Sequence, residues 1–120
     1  MVFNTNAVHE ISVQETARKI ANSEDFVILD VRELWELALV RLKNGRVIHA
    51  PLSQLARPGV YALPDQIADK KQEIVVICHH GVRSAEVTAW LLRQGWQKVR
   101  SMAGGVDAFA LQIDPSIGKY

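Results

Sequence analysis

Short apolar runs alternate along the chain with stretches of helical periodicity. The runs predicted to be strands are His9–Ile11, Phe26–Asp30, Arg46–Ala50, Glu73–Cys78 and Lys98–Met102. Two of them, "FVILD" and "EIVVIC", are almost wholly apolar, which is typical of strands buried on both faces. The alternation predicts an α/β fold with a sheet of about five mostly parallel strands and helices on both faces.

Polar and apolar residues with helical spacing lie between these runs. The predicted helices are Ser12–Ala21, Glu33–Leu42, Asp65–Lys70, Ser84–Gln94 and a last helix within "AGGVDAFALQI". In the second helix, helical spacing relates Leu34, Ala38 and Arg41/Leu42. Residues 51–64 read as irregular, with Pro58-Gly59 as a turn signal. Residues 114–120, "DPSIGKY", are expected on the surface.

Length and charge narrow the class of protein. The 120 residues suit one domain with one core, so we predict a single domain over residues 1–120. Fourteen basic and thirteen acidic residues give a net charge of +1, which gives no reason to expect nucleic acid or an anionic membrane as a partner. The apolar runs are too short to span a membrane, and no signal peptide is recognised. With one cysteine, this favours a reducing, cytoplasmic location.

The segment "CHHGVRS" carries the candidate chemistry. Ligands of parallel sheets bind outside the carboxyl ends of the strands, where both Cys78 and Asp30 lie. Gly81 permits a tight loop, in which successive amides of residues 79–84 can point inward at a helix N-terminus. Such a nest binds anions and stabilises a thiolate at its centre.

Arg83 adds a permanent, fork-shaped cation suited to an anionic substrate. Together with the amides of His79, His80, Gly81, Val82 and Ser84, it predicts a binding loop around a nucleophilic thiolate. The plain alternative is that Cys78 is a core filler, as lone cysteines after buried strands often are. The residues that surround it favour the catalytic interpretation.

The histidines have several interpretations. His79 and His80 are adjacent, and with a single cysteine they do not match a structural zinc pattern, so we predict no metal. They are expected at the mouth of the pocket, donating hydrogen bonds or, when protonated, positive charge. His9 and His49 stand alone and are predicted to be structural.

The stretch "DVRELWE" is rich in carboxylates. A metal site is conceivable there, but the favoured interpretation is an ion pair between Asp30 and Arg32 that braces the end of the strand. Glu33 and Glu36 would then lie on the first turn of the next helix, where negative charge is favourable.

Several motifs together resemble those of the single-domain rhodanese-like sulfurtransferases. The matching segments are "ILDVRELWE", "NGRVIHAPL", "VVICHHGVRSAEVTAWLLRQGW" and "MAGGVDAFA". The ending "DPSIGKY" is similar to a bacterial subgroup whose loop also reads Cys-His-His-Gly. The resemblance implies that Cys78 carries a persulfide stabilised by the loop amides. It implies transfer of a sulfane sulfur from thiosulfate or a related small anionic donor to a thiol, to cyanide or to an acceptor protein, without a cofactor.

Two other functions stay open. Phosphatases and arsenate reductases of the same fold have five residues between cysteine and arginine, whereas four separate Cys78 from Arg83 here; the smaller loop favours sulfur over phosphate. A non-catalytic binding or sulfur-carrier module is the other alternative. His79 occupies a position that is often arginine in thiosulfate-using members, which puts the preferred donor in doubt.

Overall fold

The structure is a computed structural model and describes residues 9–56 and 63–120. Its sheet has five parallel strands in the order β1-β5-β4-β2-β3. The strands are β1 (Glu10–Ile11), β2 (Val27–Asp30), β3 (Val47–His49), β4 (Glu73–Ile77) and β5 (Lys98–Met102). All five lie within the predicted runs, and the α/β class with a parallel sheet is confirmed.

The strands are connected by helices that pack on both faces of the sheet. These are α1 (Val13–Ala21), α2 (Leu34–Leu39), α3 (Leu52–Leu55), α4 (Val82–Arg93) and α5 (Gly105–Gln112). Two 3₁₀ turns, Asp65–Ile67 and Pro115–Ile117, complete the described elements. Within residues 9–56 and 63–120, no helix is both long enough and apolar enough to cross a membrane.

The central strand β4 divides the core into two clusters. Residues Ile74–Ile77 are fully buried, and their side chains alternate between the two faces of the sheet. Ile74 and Val76 join the cluster that includes Val87 and Leu91 of α4. Val75 and Ile77 join the opposite cluster, which includes Val13, Met102 and Val106. The continuous apolar run therefore reflects burial on both faces.

Helix α2 is shorter than predicted, and the residue it buries is a carboxylate. It ends at Leu39, because Val40 has extended backbone angles of φ −146° and ψ 135°. Leu34 is 73% exposed, whereas Glu36 is buried. The reason is the ion pair that Glu36 forms with Arg83, which turns the carboxylate inward and leaves the apolar residues one and two positions earlier in solvent.

The region predicted to be irregular contains helix α3. Pro51 fixes φ at −64° at the start of this helix, and Leu55 is buried in the core. One helical turn is too short for a 3.6-residue period to be visible in the sequence. The predicted turn at Pro58-Gly59 lies outside the described residues, and the predicted helix from Asp65 is a single 3₁₀ turn.

The carboxyl ends of β2 and β4 lie side by side. Asp30 is the register partner of Ile77, and the amide of Val31 donates to the carbonyl of Ile77 over 3.1 Å. Because parallel strands end at the same edge of the sheet, residues that follow Asp30 and residues that follow Ile77 are brought together.

The two leucines Leu91 and Leu111 provide a test of the packing. Leu91→Ala is expected to lower the free energy of unfolding by about 2–5 kcal/mol, because Leu91 is fully buried against the sheet. Leu111→Ala is the matched control: its side chain is 76% exposed, so a change within about 0.5 kcal/mol is expected. Urea denaturation of both variants measures the difference, and equal losses would contradict the described packing.

Candidate active site

The thiol of Cys78 lies where β4 meets the N-terminus of α4, and it is 1% exposed. The amide of Gly81 donates to its Sγ over 3.1 Å and the amide of Ser84 over 3.3 Å. The thiol in turn donates to the hydroxyl of Ser84 over 3.3 Å. Donors from the first turn of a helix therefore converge on the sulfur, the arrangement that stabilises an anion at this position.

Two glycines allow the loop to close this tightly. Gly81 has φ +100°, a left-handed conformation that other residues rarely adopt. Gly105 has φ +63°, and a Cβ at this position would overlap the carbonyl oxygens of Cys78 and His79. The amide of Val106 instead donates to the Cys78 carbonyl over 2.9 Å. The start of α5 therefore packs against the backbone of the loop and hydrogen-bonds to it.

A pair of buried serines supports the thiol. The hydroxyls of Ser84 and Ser101 are 2.7 Å apart, and both residues are almost fully buried. The sequence pointed to Ser84 but not to Ser101. Because Lys98 and Arg100 in the same strand are also polar, the sequence held no signal that set Ser101 apart.

Asp30 and Arg32 form the predicted ion pair. Arg32 Nη2 lies 2.8 Å from Asp30 Oδ2, Arg32 Nε lies 3.0 Å from Oδ1, and both residues are fully buried. Burial opposes the charge of Arg32, but the hydrogen bonds and charge attraction to Asp30, together with the interaction with Tyr120, outweigh it and raise the pKa of the guanidinium. His49, predicted to be structural, contacts the carbonyl of Arg32 through Nε2 over 2.6 Å.

The sequence suggested that Arg83 is a cation available to an anionic substrate, but its guanidinium is bound to a carboxylate. Its Nη1 and Nη2 lie 2.6 and 2.8 Å from the two carboxylate oxygens of Glu36. The Glu36 side chain is 4% exposed and that of Arg83 is 31% exposed. Hydrogen bonding from Arg83 lowers the pKa of Glu36 to about 2, and Glu36 raises the pKa of Arg83 above its ordinary value. The pair is fully charged at neutral pH.

Tyr120 links the two ion pairs, and the sequence did not single it out. Its hydroxyl donates to Glu36 Oε1 over 2.9 Å and accepts from Arg32 Nη1 over 3.0 Å. Its ring stacks on His79 with centroids 3.8 Å apart and planes 6° apart. The expectation that residues 114–120 lie on the surface is therefore wrong for Tyr120. An aromatic residue at the end of a polar segment was the only signal.

The two histidines of the loop occupy different environments. His79 is half-buried between Tyr120 and His80, whose ring centroid is 3.8 Å away. Burial, with the neighbouring His80, lowers the pKa of His79, so His79 is neutral at neutral pH. His80 is exposed, with Nε2 3.8 Å from a carboxylate oxygen of Asp107. His79 therefore adds little positive charge to the pocket at physiological pH.

A metal ion could be considered at His79, His80 and Asp107, whose ligating atoms lie within 4.8 Å of one another. The two imidazole planes are only 19° from parallel and stacked. Their lone pairs therefore run alongside each other, whereas a metal site needs lone pairs that converge on one point. We assign no metal to this cluster.

Comparison with known proteins identifies the family. The sequence profile of the rhodanese-like domain matches residues 12–112. The chain belongs to the rhodanese-like family. A rhodanese-related protein from Thermoplasma volcanium has the same fold, with a TM-score of 0.70 and 25% identity over 88% of this chain and 93% of that chain.

Among curated rhodanese-like relatives, a protein from Arabidopsis thaliana named Rhodanese-like/PpiC domain-containing protein 12, chloroplastic, is 33% identical over 118 residues. The match covers 94% of this chain but only 38% of the plant protein. A protein from Allochromatium vinosum named Sulfurtransferase is 26% identical over 105 residues, covering 86% of this chain and 89% of that protein. Sulfurtransferases are therefore among the relatives of this chain.

The acid stability of the protein tests the environment of Glu36. A carboxylate whose pKa is depressed to about 2 stabilises the fold above its unfolded pKa of about 4.3 and loses this contribution as pH falls toward 2. The difference in unfolding free energy between wild type and Glu36→Gln should therefore be constant above about pH 5. It should shrink by about 2–3 kcal/mol between pH 4.5 and 2.

The control for this experiment is Glu86→Gln, because Glu86 is exposed on α4. Its difference from wild type should stay near zero across the same pH range. Guanidinium denaturation at each pH measures both differences. A Glu36→Gln difference that does not change below pH 5 would mean that the carboxylate is not held by Arg83.

Replacement of Tyr120 separates its hydroxyl from its ring. Tyr120→Phe removes two hydrogen bonds to charged groups, so the unfolding free energy should fall by about 1–3 kcal/mol. The phenylalanine ring still covers His79, so the pKa of His79 should stay low. In Tyr120→Ala the covering ring is lost and the pKa of His79 should rise toward its ordinary value. Histidine NMR titration measures this, and equal values in the two variants would contradict the stacking.

Proposed function

We propose that this protein is a sulfurtransferase that moves a sulfane sulfur from thiosulfate or a related donor to a thiophilic acceptor through a persulfide on Cys78. The observation that carries the proposal is the convergence of the Gly81 and Ser84 amides on the Cys78 sulfur. Hydrogen bonds from amides to an anion are stronger than those to a neutral group. Membership of the rhodanese-like family and the relative named Sulfurtransferase support the proposal.

In the first half of the cycle the Cys78 thiolate attacks the outer sulfur of the donor. With thiosulfate, the bond between the two sulfur atoms breaks and its electron pair leaves with sulfite. Cys78 then carries the transferred sulfur as a persulfide anion, and the total charge is unchanged. The loop amides, which contact Sγ in the resting structure, are placed to stabilise this anion.

In the second half an acceptor thiolate or cyanide attacks the outer sulfur of the persulfide. The Cys78–sulfur bond breaks, and Cys78 leaves as a thiolate with the electron pair. The 120 residues contain one cysteine, so no second thiol within them can remove the sulfur. The acceptor is therefore a thiol from outside these residues, on a small molecule or a protein, or cyanide, and the chemistry of the cycle needs no cofactor.

The loop geometry favours sulfur over phosphate. Four residues separate Cys78 from Arg83, and the guanidinium of Arg83 points to Glu36. A phosphatase loop uses its arginine to hold the phosphate oxygens, and here both terminal nitrogens of that arginine are already bound to a carboxylate. The pair Asp30–Arg32 supports the site indirectly, since Tyr120 connects Arg32 to Glu36.

Persulfide formation on Cys78 tests the proposal. After incubation with thiosulfate, mercaptopyruvate or glutathione persulfide, intact-protein mass spectrometry should show an adduct of about 32 Da that a reducing agent removes. Cys78→Ser should show no adduct and no transfer activity. Ser116→Ala, a change on an exposed turn away from the loop, is the control and should load as wild type does.

The outcomes separate the candidate functions. No adduct from any donor would overturn the sulfurtransferase proposal, and full activity in Cys78→Ser would overturn the site. An adduct that forms but is not turned over by small thiols would support a sulfur-carrier module in place of an enzyme.

A further inference from the structure

We propose that Ser101 is a positioning residue, which acts through Ser84 to stabilise the thiolate form of Cys78. The inference rests on the proposed sulfur transfer and deepens it, because the thiolate attacks the donor in the first half of that cycle and leaves in the second. Its basis is a chain of three buried polar atoms. Cys78 Sγ lies 3.3 Å from Ser84 Oγ, and Ser84 Oγ lies 2.7 Å from Ser101 Oγ.

Strand β5 brings Ser101 to the face of the sheet that α4 covers. Ser101 is the register partner of Val76 on β4, and side chains alternate between the two faces along each strand. Val76, Cys78 and Val99 belong to one core cluster. Ser101, two residues after Val99, therefore faces the same side, and Ser84 reaches it from the first turn of α4.

Both serine hydroxyls lie in the interior, where each needs a partner. Ser101 is 2% exposed and Ser84 is fully buried. Burial of a hydroxyl is unfavourable unless a hydrogen bond offsets the loss of water. The 2.7 Å between the two oxygens is the usual length of an O–H···O hydrogen bond. The two serines therefore form one unit, in which the state of one hydroxyl affects the other.

The chain of hydrogen bonds can run in either direction. A serine hydroxyl both donates and accepts, and either serine can be the donor in their contact. With the thiol protonated, Cys78 donates to Ser84 and Ser84 donates to Ser101. When the thiol proton passes to the buffer, the chain reverses: Ser101 donates to Ser84, and Ser84 donates to the sulfur. Each hydroxyl keeps its own proton, and Ser84 keeps two hydrogen bonds in both states.

The reversed chain is the stronger of the two. Hydrogen bonds to an ionised group are roughly twice as strong as those between neutral groups. A hydroxyl that donates to an anion is polarised and becomes a better acceptor, so the bond from Ser101 strengthens the bond from Ser84. The Ser84 hydroxyl then joins the amides of Gly81 and Ser84 as a donor to the sulfur. Ser101 thereby favours the thiolate through Ser84.

The ionisation of Cys78 measures this effect. A thiolate absorbs in the ultraviolet where a thiol does not, and Cys78→Ser at the same pH supplies the background. In Ser101→Ala the pH at which half of the thiol is ionised should rise by about one unit, a roughly tenfold change in the equilibrium, because the hydrogen bond that supports the charged chain is lost.

A double-mutant cycle shows whether Ser101 acts through Ser84. Ser84→Ala removes the hydroxyl that contacts the sulfur and should raise the half-ionisation pH at least as much as Ser101→Ala does. In the Ser84→Ala background, Ser101→Ala should add no further shift, because the link to the sulfur is already missing. Shifts that add in the double variant would contradict the inference, since Ser101 would then act independently of Ser84.

A conservative variant and a matched control separate this role from a structural one. Ser101→Thr keeps the hydroxyl and should restore the wild-type value. Thr88 lies one turn after Ser84 on α4 and is 2% exposed, and its hydroxyl has no hydrogen-bond partner among the described residues. Thr88→Val removes this buried hydroxyl and should leave the half-ionisation pH unchanged. A shift as large as that of Ser101→Ala would mean that buried polarity alone is responsible.

Other titratable groups do not differ between these proteins. The groups of the loop and of the elements packed against it are present in wild type and in every variant: Glu36, His79, His80, Arg83, Asp107 and Tyr120. Urea denaturation checks that each variant is folded. If a threonine is not accommodated at position 101, the double-mutant cycle still decides.

Discharge of the persulfide connects the result to the proposed function. Because Cys78 leaves as a thiolate, Ser101→Ala should slow sulfur transfer from the loaded protein to cyanide about threefold. An unchanged half-ionisation pH in Ser101→Ala would overturn the inference while sulfur transfer stands. If no donor loads Cys78, the proposed function is wrong, whereas the absorbance titration needs no donor and still decides the role of Ser101.

Discussion

The ion pair between Glu36 and Arg83 connects two segments that are 47 residues apart in the chain. It ties the helix that follows β2 to the helix that follows the Cys78 loop, and Tyr120 extends the connection to the buried pair of Asp30 and Arg32. The loop is thus held by charges at its outer end and by the amide of Val106 from behind. Buried charges of this kind stabilise a structure only when every partner is present, so the site depends on the whole network.

The same network decides the chemistry that the loop can perform. Because Arg83 is bound to Glu36, it helps to position the loop and does not present a free cation to an anion. The hydrogen-bond partners of the sulfur are then the amides of Gly81 and Ser84 and the Ser84 hydroxyl, and the amides are fixed by the fold and are not removed when side chains are substituted. His79 stacks between Tyr120 and His80, and its burial together with the neighbouring His80 lowers the pKa of its imidazole.

The accuracy of the sequence-based predictions depended on how local each feature is. The strand at "EIVVIC" and the helix predicted from Ser84 follow from apolar runs and short-range periodicity, and the structure has both, with the helix beginning two residues earlier at Val82. The buried face of α2 does not follow from its apolar residues, since Leu34 is exposed. A distant partner, Arg83, turned Glu36 inward in its place. Helix α3 was missed because four residues contain too little of the helical period.

The sequence by itself determined the α/β class, the parallel sheet and the position of Cys78 at the end of a strand, since these depend on periodicity and on the directions that parallel strands impose. It also determined the pairing of Asp30 with Arg32, which are two residues apart. Only the tertiary structure decided that Arg83 pairs with Glu36, that Ser101 contacts the Ser84 hydroxyl and that Tyr120 covers His79. These contacts join segments far apart in the chain, and no local pattern specifies which distant side chains will meet once the sheet has brought its strand ends to one edge.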